Sequence, residues 1–185
     1  MKRLWMVILA VLMLCGCSGS ESKMENVLFL RSNMSSNGCT FRAKVTADYG
    51  DEIYHFTLDC LFEPSGKLKF TVIEPESISG IEGSISSGGG ELTFDDALLA
   101  FAPMADGQIS PVAAPWVIMK ALLSGYITSC GIEDSYIRAS IRDSYADDAI
   151  MTDIWITKEN IPVWGEILWK NRRILTVEVV NFTLG

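Results

Sequence analysis

Between Phe41 and Val72 the chain alternates apolar and polar residues in three successive runs, and a period of two dictates strands with one greasy and one wet face. Phe41, Ala43 and Val45 share a face with Tyr54, Phe56 and Leu58, while Arg42, Lys44, Thr46, Thr57 and Asp59 take the other. Asp48-Tyr49-Gly50-Asp51 supplies the turn between the first two runs, with a glycine free to adopt positive φ. After Glu63-Pro64-Ser65-Gly66, Leu68, Phe70 and Val72 alternate with Lys67, Lys69 and Thr71. An antiparallel sheet patterned in this way needs a second layer to cover its apolar face.

Two stretches can form that layer. Val27, Leu28, Leu30 and Arg31 lie in a segment free of Pro and Gly that predicts a short amphipathic helix. A second helix is predicted over 112–124, opened by Ser110-Pro111 and stopped by Gly125, with Pro115 in its first turn. Its stripe is Val112, Trp116, Met119, Leu122 and Leu123. Short strands are expected at 81–85, 91–94 and 98–101, separated by the Ser86–Gly90 turn and by Asp95-Asp96. Beyond the second helix, strands at 135–144, 150–157, 163–170 and 174–184 read as a closing meander. Ile154-Trp155-Ile156 and the Trp164, Ile167, Leu168, Trp169 group put apolar side chains on both faces there, so both are covered or one borders a cavity. The fold class is therefore α+β, mostly β.

At the N-terminus, Lys2 and Arg3 precede an apolar run from Leu4 to Leu14, the layout of a secretory signal and too short for a membrane-spanning helix. Leu14-Cys15-Gly16-Cys17 resembles the bacterial lipobox, which implies cleavage before Cys17 and a diacylglyceryl thioether on that cysteine. The expected organisation is a signal peptide over 1–16, a flexible tether over 17–23 and a single domain over 24–185, held to the outer side of a cell membrane by the lipid on Cys17. Export permits disulfides. A hairpin loop centred on Tyr49-Gly50 pairs positions whose numbers sum to 99 and sets Cys39 opposite Cys60, so a Cys39–Cys60 bridge is expected, with Cys130 left single.

Removing the signal leaves 13 Lys and Arg against 23 Asp and Glu, a net charge of −10, which argues against nucleic acid as a partner. Parts for catalysis are scarce. His55 is the only histidine and falls on the polar face of its strand, so no histidine metal site is expected. There is no Gly-x-Ser-x-Gly elbow, P-loop or Cys-x-x-Cys, and Gly88-Gly89-Gly90 lacks the lysine a phosphate cradle needs. Asp147-Asp148 and Glu74-Pro75-Glu76 read as solvated turn acids. The expectation is a protein without catalysis, metal or cofactor.

Several stretches carry a likeness to a known group: Phe70-Thr71-Val72-Ile73-Glu74-Pro75-Glu76-Ser77-Ile78-Ser79-Gly80-Ile81, Leu92-Thr93-Phe94-Asp95, Ser110-Pro111-Val112-Ala113-Ala114-Pro115, Asn160-Ile161-Pro162 and Glu166-Ile167-Leu168-Trp169. With the order of elements, they make the chain resemble the LolA-like lipoprotein superfamily, which includes the LolA and LolB carriers, mycobacterial glycolipid-binding lipoproteins and clostridial GerS-like lipoproteins. The resemblance implies an incomplete antiparallel barrel wrapped around helices, with an apolar cavity that holds acyl chains in several relatives. In this chain its walls would be Phe41, Phe56, Leu58, Phe70 and Val72 from the sheet and Trp116, Met119, Leu122 and Leu123 from the helix. A lipid-tied Cys17 departs from the freely diffusing carriers. Two functions follow: a tethered binder of a lipid or lipoprotein acyl chain, or an interaction module docking on a cell-envelope or spore-cortex enzyme. A void of a few hundred cubic ångströms behind those nine residues favours the first. A filled core with an exposed apolar strand edge favours the second.

Overall fold

The three alternating runs become β1 (Cys39–Asp48), β2 (Ile53–Phe62) and β3 (Leu68–Glu74), which bury the expected apolar face except at Tyr54, exposed near the start of β2, while Thr57 of the expected polar face is buried. The computed structural model describes residues 18–94, 97–102, 104–105 and 108–185; the expected signal segment 1–16 and the lipidation candidate Cys17 lie outside the described residues. The middle of the chain continues as β4 (Glu82–Ser86), β5 (Gly89–Phe94) and β6 (Ala97–Phe101), then a small separate pair, β7 (Met104–Ala105) and β8 (Gln108–Ile109). After the second helix come β9 (Tyr126–Glu133), β10 (Tyr136–Arg142), β11 (Met151–Ile156), β12 (Pro162–Trp169) and β13 (Arg172–Leu184). The helices are α1 (Ser18–Asn37) and α2 (Ala114–Ser124), the latter entered through a 3-10 turn at Pro111–Ala113.

Eleven strands form one antiparallel sheet in the order β6-β5-β4-β3-β2-β1-β13-β12-β11-β10-β9. Pairing of β1 with β13 joins the two meanders, and β6 and β9 remain as open edges, so the curved sheet is an incomplete barrel. The helices cover its inner face. Val27, Leu30 and Met34 of α1 and Ile118, Met119 and Leu122 of α2 are fully buried against the inward residues of the sheet. Gly165 of β12 lets α2 sit close, since a Cβ there would lie 2.4 Å from Ile118 Cδ1.

Arg31 locks the two helices together. Its Nε donates to Leu122 O at 2.6 Å and its Nη2 to Gly125 O at 2.9 Å, where the last carbonyls of α2 have no partner within the helix. The cation also stands at the negative end of the α2 dipole.

Three expectations are corrected. The stretch expected as a flexible tether over 17–23 is helical from Ser18 onward, because no Pro or Gly interrupts the chain between Ser20 and Asn37. Strand β9 was not anticipated, since Gly131 and its largely solvent-facing residues hide the alternation. The hairpin register is offset as well. Asp48 Oδ1 accepts from Gly50 N at 2.9 Å and Tyr49 N donates to Glu52 O at 3.1 Å, so Tyr49–Glu52 forms the loop and Asp48 pairs with Ile53. Cys39 then faces Phe62, and Cys60 faces Phe41.

The two thiols consequently sit diagonally on one buried face, both free, rather than opposed in a disulfide. Burial pushes the Cys39 thiol up to about 12 and that of Cys60 well above its ordinary value; the half-buried Cys130 is raised too, by partial burial. Alkylation of the native protein at about pH 8 is expected to label Cys130 first and to reach Cys39 and Cys60 only after unfolding. A Cys39–Cys60 linked peptide in a nonreduced digest would contradict this register.

Candidate functional site

The nine residues expected to wall a cavity come together as predicted, but as packed core. Leu58, Met119 and Leu122 are fully buried, and Phe41, Val72 and Trp116 are nearly so. Phe70 is 3% exposed, and its ring covers Gly83 directly across the strand pair, where a Cβ would lie 2.5 Å from the ring. Phe56 and Leu123 are half-buried at the margin of the same cluster.

Two of the nine reach an opening. Trp116, whose Nε1 donates to Gly66 O at 3.0 Å, borders a groove of about 880 Å³ at the tip of the β4–β5 hairpin. Lys67, the Gly88–Gly90 turn, Ala100, Phe101 and Ala102 complete it. A trough of about 500 Å³ lies over the outer face of β2 to β6 and has Phe70 among its floor residues, although the Phe70 ring turns to the inner face over Gly83. Its walls include Asp59, Lys69, Thr71, Glu82, Ser84, Glu91, Thr93 and Leu98.

Apolar surface concentrates at the sheet edge beside that trough. Among the described residues β6 pairs only with β5, and Leu98 and Leu99 are 65% and 58% exposed on its opposite faces. Its five residues carry no charge, and its pairing to β5 has no bulge. The other edge is managed differently. Strand β9 packs against α1, ends in Glu133 paired to Arg138 at 2.8 Å, and is bulged opposite Ser140 and Ile141. The signal for β6 was present in Ala97-Leu98-Leu99-Ala100-Phe101, an unbroken apolar run with no alternation.

Electrostatics divide the outer face. Arg42 and Asp59 form a two-pronged pair at 2.7 and 2.9 Å, and Lys69 is held by Glu63 at 2.6 Å. That arrangement keeps the Asp59 and Glu63 carboxyls below their ordinary values, by hydrogen bonding from Arg42 and Lys69. Glu82 and Glu91, by contrast, have no ion pair among the described residues. His55 is exposed on the polar face, where its Nδ1 lies 3.1 Å from Thr46 Oγ1. Among the described residues no cluster of His, Cys, Asp and Glu could hold a metal ion, and no helix is long and apolar enough to cross a membrane.

No known family model matches the chain, and no curated protein does. Solved structures resemble it in the course of the chain. A LolA superfamily protein from Nitrosomonas europaea aligns over 86% of this chain and 93% of its own, at 7% identity and a TM-score of 0.45. An uncharacterized conserved protein from Thermus thermophilus aligns over 89% and 88%, at 13% identity and 0.48. The Mycobacterium tuberculosis lipoprotein LppX aligns over 87% and 93%, at 14% identity and 0.40.

Proposed function

We infer that this chain is an envelope lipoprotein, exported and held outside the cytoplasm by lipid on Cys17, that acts without catalysis as a docking module through the open β6 edge. The observation that carries the docking reading is the contrast, among the described residues, between an interior of closely buried side chains and an uncovered, uncharged apolar edge. Monomeric proteins rarely leave such an edge uncovered unless something pairs with it. A photocrosslinking residue in place of Leu98, introduced in the native host, should give a protein adduct, and one in place of Thr46 on the exposed face of β1 should not. Equal adducts at both positions would remove the reason to single out β6.

The anchor has its own test. Cys17→Ser should move the protein from the membrane fraction to the soluble one, while Cys15→Ser should leave it anchored, because a small residue is kept before Gly16. A Cys17→Ser variant that still sediments with membranes after signal removal contradicts the lipid anchor.

A second reading places a lipid or lipoprotein acyl chain in the groove between Trp116 and Phe101. Its volume of about 880 Å³ is what favours it, since small-molecule sites span roughly 300–1,000 Å³.

A further inference from the structure

We propose that the β6 edge takes an extended segment of a basic polypeptide, added as a further strand, with apolar side chains turned inward and a lysine or arginine laid over Ala100 toward Glu91. The inference rests on the docking reading and names the chemistry of the partner.

Backbone geometry supplies the first part. The edge of β6 turned away from β5 offers, along Ala97–Phe101, N–H and C=O groups that no strand among the described residues pairs. On the inner face Leu99 pairs with Leu92 and Phe101 with Gly90, so an added strand meets an apolar row on that side. The partner therefore carries apolar residues at alternate positions.

Charge supplies the second part. On the outer face Glu91 pairs directly with Ala100, and Thr93 with Leu98. Alanine leaves the space above it open, so a long side chain standing beside Ala100 on an added strand has a clear path to the Glu91 carboxylate, about 10 Å away at two strand spacings. Glu82 stands one strand further in, diagonal to Glu91 through the Ser84–Glu91 and Glu82–Thr93 pairs. Neither carboxylate has a cation within ion-pair distance among the described residues, although Arg42 and Lys69 on the same face are both engaged. Lys67 borders the same trough and pairs with neither. The net charge of −10 after signal removal adds a long-range pull on a basic segment.

A second copy of the chain fits this edge less well. In an antiparallel β6–β6 pair centred on Leu99, Ala100 of one copy faces Leu98 of the other, which leaves Glu91 without a cation and brings two acidic molecules together.

The test uses the full-length Cys17→Ser protein with fluorescent peptides of alternating Val and Lys, Val and Gln, or Val and Glu, titrated at low salt and followed by amide exchange of β6. The Val/Lys peptide should bind about fivefold tighter than Val/Gln, the gain of one exposed ion pair near the top of its usual range, and Val/Glu should bind weakest. Added salt should narrow the gap. Glu91→Gln should close most of it, and so should Ala100→Lys, which places an internal cation over Glu91; Glu159→Gln on a distant turn should leave it intact. Protection should appear in β6. Peptides that protect β6 with no charge preference overturn the basic-partner inference and leave the docking reading standing. Binding that protects no β6 amide overturns both. A concentration-dependent dimer that protects β6 without any peptide makes a second copy the occupant and overturns the inference.

Discussion

Phe70→Ala is expected to lower the unfolding free energy by about 3–5 kcal/mol, the cost of deleting a ring from a packed core. Phe70 is 3% exposed, lies between Cys60 and Gly83 in the strand register, and covers a glycine that offers no side chain to close the gap. Removing the ring forfeits its transfer free energy and leaves a void, because the sheet around it cannot collapse by a ring's width. Had Phe70 been the wall of an existing cavity, only the transfer component would be lost, about 1.5–3 kcal/mol. Urea melts of wild type and variant distinguish the two, with Phe56→Ala as internal comparison. Phe56 is half-buried, so its truncation should cost clearly less than that of Phe70. Equal, small losses at both positions would reopen the cavity reading.

Arg31→Ala is expected to cost about 2–3 kcal/mol, and to show the loss first in α1. The guanidinium serves the carbonyls of Leu122 and Gly125 at 2.6 and 2.9 Å, and hydrogen bonds to a charged donor contribute roughly 1.5–3 kcal/mol before the exposed carbonyls regain water. Its charge also complements the α2 dipole, worth about 0.3–1 kcal/mol. Partial burial lowers the guanidinium's proton affinity, yet an arginine stays charged at any pH the protein tolerates, so the effect should be independent of pH. Arg31→Met keeps the apolar stem and should lose only the polar part. Amide exchange checks the location: α1 should lose protection in the variant while β1 and β13, at the centre of the sheet, keep theirs. Uniform loss across the sheet would mean that Arg31 does not pin α1 to α2.

What could be read from the sequence follows from which interactions are local. The alternation of Phe41 to Val72 survives into the structure because a strand's facing depends on parity alone, and an offset of the pairing by two leaves parity unchanged. Helix α2 was legible for a similar reason, its Pro111 and Gly125 boundaries being set within one turn of chain. Register was not legible at that level. Whether Cys39 meets Cys60 or Phe62 depends on where the loop closes, and the contact of Asp48 with the amide of Gly50 and the Tyr49 N to Glu52 O bond go with a loop centre one residue further along. Nor could the partner of Arg31 be inferred, since it lies some ninety positions away. The nine cavity candidates form one cluster, and their role is not legible at that level, because packed and void-lining apolar residues have the same pattern in sequence. The edge status of β6 depends on β6 and β9 not meeting to close the barrel, a long-range feature that no local run announces.

On the docking reading, the core packed around Phe41 and Phe70 holds no ligand and the apolar β6 edge is the working surface. Native mass measurement of the Cys17→Ser protein, purified from its own host without delipidation, tests it most directly. The filled core of Phe41, Leu58, Phe70 and Met119 predicts the mass of the processed polypeptide with no lipid adduct. A stoichiometric adduct of lipid mass that disappears on Phe70→Ala or Met119→Ala would contradict it and make the protein a carrier of acyl chains.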